Sequence, residues 1–196
     1  MASIIRPTIY GPGFMAQGVL ITDLFVITVA SGLPSAQFLD VNVRGISTYG
    51  EYKVKSVVKH PNYSDDYQNN IAVLKLMHPV IREGFMKPVC IPKFFSHQQT
   101  VASSSFFLVV DNLGNEFRVQ KVSQDVCLLK ENQICVEDRD EISKPLDKPG
   151  DVLAVKVSIN DRQYVVLFGI VSHLSNGKPV VTNIMRYTQW IGEQLK

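Results

Sequence analysis

Four histidines (His60, His78, His97, His173) and three cysteines (Cys90, Cys127, Cys135) are the side chains best suited to acid–base, nucleophilic or metal chemistry in this chain. A cysteine nucleophile needs a base within hydrogen-bond reach; Cys90 paired with a histidine would offer one, but Cys90 reads sooner as a small buried residue. No CxxC pair and no Cys/His cluster has the ligand spacing of a zinc site. No metal and no cofactor is therefore expected. His78 precedes Pro79 and reads as a loop residue. An odd cysteine count in a secreted protein implies an intermolecular bond or a free thiol. In a cytosolic protein all three are expected to stay reduced.

The elements that must position these groups read as strands. Short apolar runs recur at Gly18–Ile27, Tyr52–Val58, Ile71–Leu76, Phe106–Val110, Val152–Ile159 and Tyr164–Val171. They are rich in Val, Ile and Phe and are bounded by Gly, Pro, Asn, Asp or Ser, the pattern of an all-β barrel or sandwich. Asn176-Gly177 is a strong turn signal and Leu113-Gly114-Asn115 a weaker one. One helix is expected, at Tyr187–Lys196, where Tyr187, Trp190, Ile191 and Leu195 fall near one face. The polar stretch Pro92–Ser105 reads as a linker between halves of similar size, 1–100 and 101–196. No apolar run reaches the roughly 18–20 residues needed to span a bilayer. Arg6 and Pro7 stand where the apolar core of a signal peptide would be. The net charge of +2, without a Lys/Arg block, demands neither nucleic acid nor a membrane surface.

Five segments in order resemble the trypsin/chymotrypsin family of serine proteases. Gly18-Val19-Leu20-Ile21 with Phe25-Val26-Ile27-Thr28-Val29-Ala30 resembles the paired strands that lead to the catalytic histidine. His60-Pro61-Asn62-Tyr63 followed by Asn70-Ile71-Ala72-Val73-Leu74-Lys75-Leu76 resembles the segment carrying the catalytic aspartate. Lys87-Pro88-Val89-Cys90-Ile91-Pro92 resembles the inter-barrel connection. Gly150-Asp151 resembles the start of the nucleophile loop. Gly169-Ile170-Val171-Ser172 and Tyr187-Thr188-Gln189-Trp190-Ile191 resemble the cleft strand and the closing helix. The resemblance implies an all-β fold: two antiparallel six-stranded β-barrels followed by a C-terminal α-helix, forming a single trypsin-like domain over 1–196. His60 then reads as part of a structural turn, and His173 takes the place of a cleft-lining tryptophan.

The chemistry of that family needs a hydroxyl nucleophile, an imidazole base and a carboxylate that orients it. Carried onto this chain, the base position is Ser31, the carboxylate position Asn70 and the nucleophile position Val152. Val152 has no nucleophilic atom, Ser31 is no base near neutral pH, and Asn70 carries no charge. Leu153 and Ala154 replace the glycines that follow the nucleophile, and Leu146 stands at the base of the specificity pocket. Only fifteen residues precede Ala16, so Asp151 is expected to need a partner other than a freed N-terminal amine. An oxyanion hole built from the Gly150 and Val152 amides is not expected to form. The chain is thus expected to be a pseudoprotease and not an enzyme.

Three disulfides implied by the resemblance have lost both halves. Their positions are Ala16 with Gly32, the segment Ser103–Ser105 with Ser158, and Lys148 with the Ser175–Gly177 loop. Each such bond contributes about 2–5 kcal/mol, out of a total stability of roughly 5–15 kcal/mol. Their joint absence favours a reducing intracellular setting, cytoplasm or nucleus, over secretion. Cys127 and Cys135 fall near a fourth family disulfide, and their pairing stays open. Asn62-Tyr63-Ser64 is a glycosylation sequon within the family motif.

The function expected first is binding of a protein partner on a rigid scaffold. Candidate surfaces are the old cleft (Ser31, Asn70, Leu146, Val152, Leu153, His173), the loop Pro61–Asn69, and the linker with its adjacent aromatics Phe94 and Phe95. The alternatives are a small-ligand or polyanion binder using the cleft, and a divergent hydrolase. Neither nucleic acid nor a membrane is an expected partner.

Overall fold

The computed structural model describes residues 1–44, 49–81, 88–110, 116–138, 146–159 and 161–196. The first barrel is built from β1 (Ala2–Thr8), β2 (Gly11–Leu20), β3 (Phe25–Thr28), β4 (Asp40–Arg44), β5 (Tyr49–Lys59) and β6 (Ala72–Leu76). These strands close antiparallel in the order β1-β2-β3-β6-β5-β4. The second barrel is built from β7 (Phe106–Val110), β8 (Glu116–Lys121), β9 (Gln133–Asp138), β10 (Val152–Ile159), β11 (Arg162–Ser175) and β12 (Lys178–Asn183). It closes in the order β10-β11-β12-β9-β8-β7. A C-terminal helix, α2 (Thr188–Gln194), follows. This is the expected two-barrel architecture.

Successive side chains of a strand face opposite ways, and that alternation explains the junction between the barrels. In β3, Val26 faces the first barrel's interior with Ile4, Leu39 and Leu74. Its neighbours Phe25 and Ile27 face outward, into a core shared with Leu153, Val155 and Phe168 of the second barrel. β6 divides in the same way, with Leu74 inward and Val73 towards the junction. Both faces of these strands are largely buried, so the sequence there is an apolar run interrupted only by Thr28 and Lys75 rather than an alternating one. The junction fixes the barrels against each other, and the residues at the old triad positions lie along it.

Two sequence expectations change. The stretch 92–105 is not a plain linker: it contains helix α1 (Phe95–Ala102). Only Val101 of that helix is buried, and no side chain caps its start, so it carries neither an apolar stripe nor a start signal. A division after residue 100 falls inside α1. At the other turn site, Asn176 and Gly177 adopt φ of 51° and 72° between the paired Ser175 and Lys178. That is the tight hairpin their identities favour. The turn expected at Leu113-Gly114-Asn115 lies outside the described residues.

Candidate functional site

The site is assembled where β2, β6, β10 and β11 meet. Asn70 is fully buried just before β6. Its Oδ1 accepts hydrogen bonds from the backbone amides of Ala30 at 2.9 Å and Ser31 at 2.8 Å. Its Nδ2 donates to Ser31 Oγ at 3.2 Å and to Ser172 Oγ at 2.8 Å. A carboxamide offers two lone pairs and two protons, and all four are used here. The group is neutral and fully satisfied, which is the condition for a buried polar side chain to be tolerated.

Ser172 Oγ also lies 3.1 Å from His173 Nδ1. A hydroxyl beside an imidazole is the pairing of a nucleophile with its base. Ser172, however, is only 1% exposed, and its oxygen already accepts from Asn70. No substrate carbonyl can reach it as the chain is folded. Burial pushes the His173 imidazole below its ordinary pKa, favouring the neutral ring. The ring is half-buried beneath Tyr67: the two are stacked with centroids 4.2 Å apart and planes 16° from parallel. Tyr67 holds a left-handed φ of 67°, uncommon for a residue of its size. Its carbonyl accepts from Gln133 Nε2 at 2.8 Å, and its amide donates to Ser64 O at 3.0 Å. Tyr67 is thus pinned across β11 and β9, over the His173 ring.

The nucleophile loop is bound into the protein. Gly150 has φ of 87° and packs so closely on β2 that a Cβ would fall 1.8 Å from Gln17 O. Only glycine fits such an approach. The Gly150 amide donates to Val171 O at 2.7 Å, and the Val171 amide donates to Asp151 O at 2.8 Å. Gln17 N completes the stitch by donating to Pro149 O at 2.7 Å. The amide that an oxyanion hole would need at Gly150 is thus committed to a backbone bond. Asp151 finds a substitute partner in the backbone amide of Lys148, which donates to its Oδ2 at 3.1 Å. Burial dominates its titration and pushes its carboxyl up to about 6, against the pull of the Lys148 amide and charge.

The other sequence candidates separate. Val152 is half-buried at the start of β10, opposite Ile170, and packs on the junction core. Leu153 and Leu146 were expected to line a binding surface, and this is corrected. Leu153 is fully buried and Leu146 is 7% exposed, both inside the shared core, because burial of these large apolar groups fills the space beneath the old cleft. Phe94 and Phe95 are exposed but belong to a different surface. Phe94 meets His97 edge-on with centroids 5.9 Å apart. Phe95 lines a groove of about 670 Å³ with Ile21, Ile91, Ile191 and Leu195. Cys90 is exposed and free and shares a second cavity with His97. Among the described residues no hydrogen bond joins its thiol to a histidine. His60 packs edge-on against Tyr187 and Trp190, which gives it a structural place.

Sequence reasoning did not single out Tyr67, Ser172 or Gln17 as parts of the site. Tyr67 stands in a loop of Asp, Asn and Ser residues, where an aromatic is a usable signal. A positive φ at a tyrosine and a backbone stitch leave no mark in the sequence.

Cys127 and Cys135 are joined by a disulfide, eight residues apart, and pack on Val180.

Comparison with known proteins agrees with this geometry. The family model described as Trypsin matches residues 4–151. Complement C1r-A subcomponent of Mus musculus is 25% identical over 179 residues, covering 79% of this chain and 25% of that protein. Phenoloxidase-activating factor 3 of Holotrichia diomphalia is 28% identical over 102 residues, covering 40% of this chain and 29% of that protein. The chain thus spans less than a third of either relative. The intracellular setting expected from the lost cysteines is corrected. A closed disulfide belongs to an oxidising compartment, and a complement subcomponent and a phenoloxidase-activating factor as relatives point the same way, to secretion. The inference failed because the barrels close by packing. Ala16, at one lost position, is 1% exposed within the shared core, so the missing bonds do not report the compartment.

Proposed function

Because the chain belongs to the trypsin family, we propose that it is a non-catalytic member whose two-barrel scaffold binds a protein partner. The observation that carries this reading is the neutral knot at Asn70. Oδ1 and Nδ2 together make four hydrogen bonds, to Ala30, Ser31 and Ser172, as an uncharged group at the position where a working site needs a buried carboxylate to orient a base and stabilise its cation. Ser31 supplies no imidazole, Val152 supplies no nucleophile, and the Gly150 amide is held by Val171 O. Ser31 and Asn70 are bonded to each other, and Val152 packs on the junction core.

The surface beside the knot suits an extended segment of a partner. Strand pairing between β10 and β11 ends at Val152 and Ile170, while β11 runs on to Ser175. Its edge from Ser172 onward, next to the Tyr67–His173 stack, offers backbone groups for strand addition. The modest net charge argues against a polyanion as the main ligand, since such binding rests on many cation–phosphate or cation–sulfate contacts.

Recovery of the tagged chain from its native source, with mass spectrometry of what stays bound at moderate salt, tests the reading. A near-stoichiometric protein that survives rising salt supports it. A polyanion that leaves as salt rises, or a chain that retains nothing, counts against it.

A further inference from the structure

We propose that Asn62 carries an N-linked glycan, on the same exposed loop as Tyr67. This inference is independent of the binding reading. Asn62-Tyr63-Ser64 is the only Asn-x-Ser/Thr triplet in the 196 residues, and neither Tyr63 nor Asp65 is the proline that would block an acceptor. A sequon in a secreted protein must still lie where the folded chain tolerates a bulky, solvated group. Asn62 is exposed, in a turn, with Ser64 exposed beside it.

The turn presents the side chain outward by pinning its backbone. Asn62 N donates to His60 Nδ1 at 3.3 Å, and Asn62 O accepts from Asn69 Nδ2 at 2.9 Å. His60 is itself lodged against Tyr187 and Trp190, and Asn69 Oδ1 accepts from Tyr187 Oη at 3.0 Å. The backbone is thus fixed by contacts to the C-terminal helix region. Among the described residues the Asn62 carboxamide makes no hydrogen bond, so replacing one amide proton by a sugar breaks nothing in the fold. Secretion, indicated by the Cys127–Cys135 bond, gives the chain access to the modifying machinery.

The covalent step balances with one co-reactant, a polyisoprenyl-pyrophosphate-linked oligosaccharide. Asn62 Nδ2 forms a bond to the anomeric carbon of the terminal sugar and loses a proton. The bond from that carbon to the pyrophosphate oxygen breaks, and the lipid pyrophosphate leaves. The transfer acts on the extended chain, before Ser64 Oγ closes its hydrogen bond to Asp66.

The test is to direct the full chain into the secretory pathway of cultured eukaryotic cells and collect both the secreted and the cell-retained pools. Each is digested with peptide N-glycosidase in heavy-oxygen water and mapped by mass spectrometry. The expected result is a heterogeneous glycan mass that collapses on digestion, with Asn62 converted to labelled aspartate. N62Q and S64A each abolish it, while S64T, which keeps the hydroxyl, retains it. Unmodified Asn62 in both pools of the natural chain and of S64T overturns the proposal. So does a glycan that persists in N62Q.

Discussion

Asn70 Nδ2 lies 2.8 Å from Ser172 Oγ, a buried hydrogen bond between residues 102 positions apart that ties the first barrel to the second. The same carboxamide holds the Ala30 and Ser31 amides. In N70A two donors, the Ala30 and Ser31 amides, lose their acceptor, and the Ser31 and Ser172 hydroxyls lose a donor. Leaving such a group unsatisfied costs about 1–3 kcal/mol, and part of the loss is relieved where Ser31 reaches solvent. The expected outcome is a destabilisation of about 2–4 kcal/mol, read from urea midpoints with unchanged slope. A loss within experimental error of zero would show that the knot does not hold the junction.

Asp151 gives a pH dependence with a definite sign. Its carboxyl is raised to about 6 by burial, from 3.8. The folded chain therefore holds the proton more tightly than the unfolded one between those values. The favourable contribution of the protonated group is full below pH 3.8 and is lost as pH rises through 6. D151N removes the charge and keeps an acceptor for the Lys148 amide. It is expected to raise the melting temperature at pH 7–8, with the gain shrinking towards pH 4. A constant difference across that range would contradict the assignment.

Restoring the missing triad tests whether the loop, and not only the three residues, has left catalysis. The variant S31H/N70D/V152S supplies base, carboxylate and nucleophile. Gly150 N still donates to Val171 O, and Tyr67 still covers His173. Loss of a single oxyanion donor lowers turnover by roughly 100- to 1,000-fold in a working enzyme. The expected outcome is a folded protein without measurable burst or turnover on chromogenic peptide esters. Robust hydrolysis would mean that the loop opens readily to form the anion site.

The remaining disulfide is expected to contribute modestly. An eight-residue closure between Cys127 and Cys135 corresponds to about 2–3 kcal/mol by loop entropy. C127S/C135S should lower the urea midpoint accordingly while leaving Cys90 the only thiol titrated. Equal midpoints for the two proteins would place the stability of this region elsewhere, in the packing around Val180.

The fold was legible because both faces of β3 and β6 are largely buried, so Phe25–Thr28 and Ala72–Leu76 stand out as apolar runs. The hairpin at Asn176-Gly177 was legible because few residues favour two successive positive φ values. Helix α1 was not, since one buried residue, Val101, makes no stripe. At the site, Ser31, Asn70 and Val152 could be named from motif position alone. The bond from Gly150 N to Val171 O and the roof of Tyr67 on His173 could not, because they depend on backbone direction and on loops meeting across the chain. Leu146 and Leu153 misled because their position in a motif suggests a cleft, whereas large apolar side chains at such positions sink into the core. The compartment was misread because absent cysteines were weighed more heavily than the pair that remains.

Whether this trypsin-family chain does acyl-transfer chemistry is decided by intact-mass analysis after exposure to a fluorophosphonate that labels activated serines. No adduct is expected on the folded chain at neutral pH, because Ser31 lacks a base and Ser172 is buried and held by Asn70. A single adduct per chain that forms on the folded protein and is abolished by prior denaturation would contradict the non-catalytic reading.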